Sequence, residues 1–109
     1  MLTVLEALKG INSYPIPFRT LKETAEHRDM VLDDTATIDV LKGKGFNLCR
    51  ADLLLWLSYA PDISQGGQSY SFTDEQRLRM RNMAEQLYEE FGDEDNVPKA
   101  AYGYKGSRL

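Results

Sequence analysis

The chain has 109 residues, of which 42% are hydrophobic and 28% are charged, and its formal net charge is -4. This length and composition indicate one globular domain with a modest core, and they exclude a fibrous repeat and wholesale disorder. The negative charge disfavours binding to nucleic acid or to an anionic membrane surface, because both of these partners are themselves negatively charged.

The N-terminal stretch MLTVLEALKGINSYP has no basic leader followed by an apolar signal-peptide core, and no apolar run approaches the length that spans a bilayer. Cys49 is the only cysteine, so it has no partner for a disulfide within the chain. These features predict a protein of the reducing cytoplasm that does not associate with membranes.

Two short helices are predicted near the N-terminus. Thr3 and Glu6 have the spacing of a capping box, which predicts a first helix that ends at Gly10. The inward side chains of this helix are predicted to be Val4, Leu5 and Leu8. A second helix is predicted over residues 17–28, since Pro17 fits a first turn, where its missing N–H costs nothing.

A third helix of about two turns is predicted to start near Asp34 or Thr35, either of which can cap it. Ile38 and Leu41 are expected on its inward face, and the KGKG stretch of residues 42–45 is expected to break the chain direction. That stretch lacks the further glycine, spacing and hydroxyl residue of a phosphate-binding loop.

Residues 46–60 are predicted to form the central helix of the fold. Their apolar side chains cover nearly the whole circumference of a helix, so the segment should be buried on most sides before Pro61 ends it. These side chains are Leu48, Cys49, Ala51, Leu53, Leu54, Leu55, Trp56, Leu57 and Tyr59.

The last predicted helix covers residues 73–91, with a capping box formed by Thr73 and Gln76 and with Gly92 as its stop. Its apolar residues recur at helical spacing and predict one inward stripe, with arginines over the remaining surface. The stripe consists of Met80, Met83, Ala84, Leu87, Tyr88 and Phe91. Residues 93–109 have no apolar period and are expected to form a mobile or partner-ordered tail after the helical domain of residues 1–92.

The residues offer little for catalysis or for metal binding. His27 is the only histidine, and Glu23 on the same helix face would give no more than two ligands. Cys49 is expected to be a buried, inert thiol, although Arg50 follows it. Acidic residues 93–95 fit a solvated turn. The sequence therefore predicts no enzyme activity, no catalytic residue, no metal site and no cofactor.

One nucleic-acid interpretation remains open, because residues 20–45 have the outline of a helix-turn-helix. In this alternative the chain would be a small DNA-binding regulator, with Leu21 and Ala25 before the turn and residues 35–41 as the recognition helix. Three carboxylates lie at or near the start of that helix, where they would face phosphates. They belong to Asp33, Asp34 and Asp39.

The stretch SQGGQSYSF, residues 64–72, is unusual as a connection between helices. Gly66 and Gly67 permit positive φ, and the residues after them alternate hydroxyl and aromatic side chains as an extended strand would. A single strand needs a partner for its backbone, either in the same bundle or in an adjacent subunit. An intrachain loop whose aromatic residues cover the core is an equal alternative.

Taken together, FNLCRADLLLWLSYAPDISQGGQSYSF and TDEQRLRMRNMAEQLYEEFGD resemble the small head-tail connector (adaptor) proteins of tailed bacteriophages and prophages. The resemblance covers residues 46–92, and GGQSYSF is its most specific part. It implies an all-α bundle of about five helices with a short extended segment before the last long helix. It also implies a structural virion protein that forms a ring on the portal vertex and joins head to tail.

The partners implied by this resemblance are the portal, tail-completion proteins and further copies of the chain. The protein would lie in the host cytoplasm during assembly and afterwards in the virion. The residues expected at the subunit or portal interface are Gly66, Gly67, Gln68, Ser69, Tyr70, Ser71, Phe72, Arg77, Arg81, Tyr102 and Tyr104.

Overall fold

The computed structural model describes residues 2–92 of the chain. Five helices and one antiparallel two-stranded sheet lie within this range. In chain order they are α1 (Val4–Lys9), α2 (Phe18–His27), α3 (Ile38–Lys42), α4 (Lys44–Tyr59), β1 (Ile63–Gln65), β2 (Gln68–Tyr70) and α5 (Asp74–Phe91). The fold is therefore mainly helical but not purely α-helical, which corrects the all-α prediction at the segment before the last helix.

The predicted capping box of α1 is confirmed. The Glu6 N–H donates to the Thr3 hydroxyl at 3.2 Å, and the Thr3 N–H donates to the Glu6 carboxylate at 3.0 Å. The Thr3 hydroxyl also donates to this carboxylate, at 3.1 Å. The hydrogen bonds from the Thr3 N–H and hydroxyl favour the charged carboxylate and hold the pKa of Glu6 below its usual value. Val4 and Leu8 are fully buried, whereas Leu5 is half-buried.

The first turn of α1 is also held by a distant loop. The N–H groups of Val4 and Leu5 donate to the carbonyls of Asp34 and Leu32 at 2.9 and 3.0 Å. Such first-turn N–H groups have no partner inside their own helix, so the loop carbonyls satisfy them. The turn and bend of residues 32–34 and the bridge residue Thr35 are consequently held beside α1.

The prediction of where α3 begins was wrong. The helix begins at Ile38, capped by the Thr37 hydroxyl, rather than near residues 34 and 35. Ile38 is 71% exposed and does not face inward, whereas Val40 and Leu41 pack against the core. Gly43 alone separates α3 from α4, because Gly45 lies inside the first turn of α4.

The central position predicted for residues 46–60 is confirmed by α4, which contributes to two clusters of buried side chains. One face packs with Val4, Leu8 and Leu21 from α1 and α2. The opposite face packs mainly with α5. A helix covered on two sides needs apolar residues around most of its circumference, as its sequence has. In the described part of the chain, no helix is both long and apolar enough to cross a membrane.

The last helix, α5, has the predicted limits and the predicted capping box between Thr73 and Gln76. The core face is narrower than the predicted stripe: Met80, Ala84 and Tyr88 are buried, and Leu87 and Phe91 pack partly buried against them. Met83 is 36% exposed, so its assignment to the core was wrong. The helix ends at Gly92, whose φ of 69° is the left-handed conformation that glycine favours.

Candidate functional site

The stretch that was unusual in the sequence forms a β-hairpin between α4 and α5. Gly66 and Gly67 have φ of 59° and 80°, as a two-residue type I′ turn requires at both positions. The strands pair antiparallel, with Ser64 opposite Ser69 and Gln65 opposite Gln68. The predicted extended segment is thus present, and its partner strand comes from the residues just before it in the same chain.

Aromatic contacts fix one face of this hairpin to the helical core. The Tyr14 ring stacks on Phe72 with 5.6 Å between centroids and meets Tyr70 edge-on at 6.2 Å. Its other side meets Trp56 edge-on at 5.9 Å, and its hydroxyl donates to the Pro61 carbonyl at 2.7 Å. Tyr70 and Phe72 therefore cover the core within their own chain, as the intrachain alternative predicted.

The remainder of the hairpin is open to solvent. Residues 64–69 and Ser71 are exposed, whereas Ile63, Tyr70 and Phe72 are half-buried. On the solvent face, the hydroxyls of Ser64 and Ser69 lie 3.4 Å apart across the two strands. The hairpin consequently presents a small polar face, a glycine tip and two strand edges to its surroundings.

The register determines which backbone groups lie on the two open edges. In such a hairpin the residues flanking the turn, Gln65 and Gln68, form a hydrogen-bonded pair, and the next pair along the strands does not. The N–H and C=O groups of Ser64 and Ser69 therefore point away from the hairpin. Within residues 2–92, neither residue has a backbone hydrogen bond to another part of the chain.

Arg77 links the base of the hairpin to the end of α4. Its guanidinium donates to the carbonyls of Ser58 and Ala60 at 3.2 and 2.6 Å, and it forms a 2.9 Å ion pair with Asp62. The same group lies 5.5 Å from the centre of the Phe72 ring. Arg77 was expected at an interface with another subunit. Its contacts give it a role inside the chain, where it positions the hairpin.

Arg81, one helical turn after Arg77, is also half-buried. Its guanidinium carbon is 5.2 Å from the centre of the Tyr59 ring, and Tyr59 is 70% exposed. Arg81 therefore makes a cation–π contact with an exposed aromatic ring of its own chain. The other two predicted interface residues, Tyr102 and Tyr104, lie outside the described residues, as does the predicted tail.

A polar network that sequence reasoning missed joins three helical segments beneath the surface. Arg28, just after α2, makes two hydrogen bonds of 2.8 Å to the Asp52 carboxylate on α4. The Tyr88 hydroxyl on α5 donates to the same carboxylate at 2.6 Å. Arg28 and Asp52 retain only 9% and 20% of their side-chain exposure. The partners are far apart in sequence and share no local pattern that could have revealed the network.

Comparison of the chain with family models, curated proteins and solved structures finds no match. The surroundings of His27 and Cys49 determine what chemistry these side chains can perform. His27 lies exposed at the end of α2. Cys49 is fully buried, and burial, followed by the nearby Asp52 carboxylate, raises the pKa of its thiol to about 12. The thiolate, which is the nucleophilic form, is thus disfavoured at neutral pH.

The burial and the raised pKa of the Cys49 thiol lead to a testable prediction. The folded protein should resist alkylation by iodoacetamide at mildly alkaline pH, and it should react rapidly once denatured, as measured by mass spectrometry. Since the folded thiol holds its proton and the unfolded thiol releases it near the ordinary pKa of 9.0, stability should fall as pH rises above that value. A Cys49→Ala variant should show a weaker decline there. Fast alkylation of the folded protein would contradict the buried assignment.

Proposed function

We propose that this chain is a structural virion protein, a head-tail connector that forms a ring on the portal vertex of a tailed bacteriophage. The observation that carries the proposal is the hairpin of residues 63–70, which projects two open strand edges from a helical core. An unprotected strand edge is a ready surface for pairing with another chain. The resemblance of residues 46–92 to connector proteins supports the same function.

The contacts at the base of the hairpin support an assembly role. A loop that is ordered only on binding loses conformational entropy when it binds, and this loss weakens association. Here the Tyr14 stack and the Arg77 hydrogen bonds already hold the hairpin against α4 and α5. The open edges are therefore presented to a partner in one orientation.

The alternative function, a DNA-binding regulator, has weaker support from the same region. The two helices of a helix-turn-helix are joined by a turn of about 3–4 residues. Here residues 28–37 separate α2 from α3, and α3 has only five residues and buries none of them. Asp39 lies in its first turn, where a carboxylate would face the phosphates of DNA.

Disruption of the gene in the parent phage or prophage tests the connector function. We expect DNA-containing heads and complete tails that remain separate in electron micrographs. Joined particles should be restored when the wild-type gene is supplied from a plasmid. The protein should also be found by mass spectrometry in purified virions. Normal numbers of joined, infectious particles without the protein would overturn the proposal.

Titration with mixed-sequence DNA over a range of salt concentrations tests the alternative. A connector of net charge -4 is expected to show no binding at physiological ionic strength. Tight binding that weakens steeply as salt rises would instead favour the DNA-binding regulator.

A further inference from the structure

We propose that neighbouring copies of this chain join through their hairpins, with the β2 edge of one copy pairing antiparallel to the β1 edge of the next. The inference rests on the proposed ring and specifies the contact that builds it. Every hairpin has one edge of each kind, centred on Ser64 in β1 and on Ser69 in β2. A contact between two different surfaces of identical chains generates a ring when its rotation closes.

The two edges are complementary in their backbone groups. The outward N–H and C=O of Ser69 on β2 face the solvent, as do those of Ser64 on the outer side of β1. When the β1 strand of a second copy lies beside β2, these groups supply the paired hydrogen bonds of an antiparallel ladder. Repetition around a closed ring leaves no strand edge unpaired, as in a closed barrel.

The edges lack most of the features that prevent such pairing in monomeric proteins, and the shortness of the three-residue strands is the exception. Strand edges are usually protected by charged residues, proline or bulges. Residues 63–72, ISQGGQSYSF, contain no charged residue and no proline. The nearest charge, on Asp62, is engaged by Arg77 at 2.9 Å. In addition, the paired strands are regular and show the unbroken register of Ile63 with Tyr70, Ser64 with Ser69 and Gln65 with Gln68.

The absence of charge on the hairpin permits a second copy to occupy the edge. Each chain has a net charge of -4, so two copies repel one another over most relative orientations. The uncharged hairpin is a place where the chains can approach closely without like-charge contacts. Each strand has three residues, so strands from a neighbour would extend a small two-stranded sheet that is already held against the core.

Two proline substitutions, Ser64→Pro in β1 and Ser69→Pro in β2, test the two edges separately. Because the N–H groups of Ser64 and Ser69 point outward, proline at either position removes an edge donor and leaves the hydrogen bonds inside the hairpin in place. The matched controls Ser64→Ala and Ser69→Ala remove the hydroxyls and retain the N–H groups. Circular dichroism and thermal unfolding establish that each variant has the wild-type fold before its association is measured.

Sedimentation velocity at increasing protein concentration measures the association. We expect the wild type and both alanine controls to form higher oligomers, and we expect each proline variant to associate at least about tenfold more weakly, because a blocked edge loses its backbone hydrogen bonds. Amide hydrogen exchange gives an independent readout. The N–H groups of Ser64 and Ser69 should become protected as wild-type concentration rises, whereas the N–H of Gln68 should change little.

A mixture of the two proline variants distinguishes the possible geometries. The Ser64→Pro chain keeps its β2 edge and the Ser69→Pro chain keeps its β1 edge, so the mixture should form a heterodimer that does not grow further. If Ser69→Pro abolishes association and Ser64→Pro has no effect, the contact joins two β2 edges, and the head-to-tail proposal is overturned. Wild-type protein that stays monomeric at millimolar concentration, or folded proline variants that assemble normally, would also overturn it.

The failure of this inference is distinguishable from failure of the connector function. If the gene is needed to join heads to tails and both proline variants support joining, the hairpin contact is wrong and the function stands. If the proline variants lose self-association and virions form normally without the gene, the contact stands and the connector function is wrong.

Discussion

Replacing Leu57 by alanine is expected to lower the free energy of unfolding by about 2–5 kcal/mol. Leu57 lies on α4 with 0% exposure, in the cluster that packs this helix against α5. Truncation removes buried methylene groups and leaves a cavity that the surrounding helices fill only in part. Chemical denaturation followed by circular dichroism measures the change, which should shift the midpoint and leave the slope unaltered.

Leu78→Ala is the matched control for this substitution, because it removes the same atoms from a helical leucine that is 53% exposed. Its effect is expected to be within about 0.5 kcal/mol of zero. Leu87→Ala should fall between the two, since Leu87 is only half-buried on α5. Equal effects at Leu57 and Leu78 would mean that the packing of α4 against α5 is not as described.

Asp52→Asn is the second substitution with a large expected effect, a loss of about 2–4 kcal/mol of stability. Removing one partner of a fully buried ion pair costs about 3–5 kcal/mol, and the 20% exposure of Asp52 reduces this value. Asparagine keeps the size of the side chain, but it removes the charge that the Arg28 guanidinium needs at its 9% exposed position. Thermal and chemical unfolding of the variant measure the loss.

An exposed ion pair provides the control for Asp52. Glu23 lies 3.5 Å from Arg19, and both side chains are mainly in solvent, so Glu23→Gln should cost less than about 0.5 kcal/mol. Combining Arg28→Met with Asp52→Asn should cost less than the sum of the single changes, because the unpaired charge is then absent. Strict additivity would show that the two residues do not interact.

Ion-pair and core variants also bear on the proposed assembly. The hydrogen bonds among Arg28, Asp52 and Tyr88 join the end of α2 to α4 and α5. A separate set of contacts, made by Tyr14 and Arg77, holds the hairpin against the helical core. Changes in the first group should therefore lower stability without selectively weakening association between folded copies. This contrast separates loss of fold from loss of the edge contact.

Features with a local physical cause were predictable from the sequence. Both capping boxes, at Thr3 and at Thr73, depend on side chains three residues apart and formed as expected. The central position of α4 followed from its apolar circumference. Within the candidate site, Gly66 and Gly67 indicated positive φ, and the alternation after them indicated a strand.

Features that depend on residues far apart in the chain were decided only by the tertiary structure. From the sequence by itself, the alternation in residues 68–72 indicated an extended segment, with an intrachain loop as an equal alternative. The pairing of residues 68–70 with β1, and the stacking of Tyr14 on Phe72, arise where α4 brings distant segments together. In the same way, hydrogen bonds between α1 and residues 32–36 moved the start of α3 to Ile38 and left its side chain in solvent. Local patterns specify which conformation a segment favours, but the neighbours that satisfy its backbone and cover its side chains come from the whole fold.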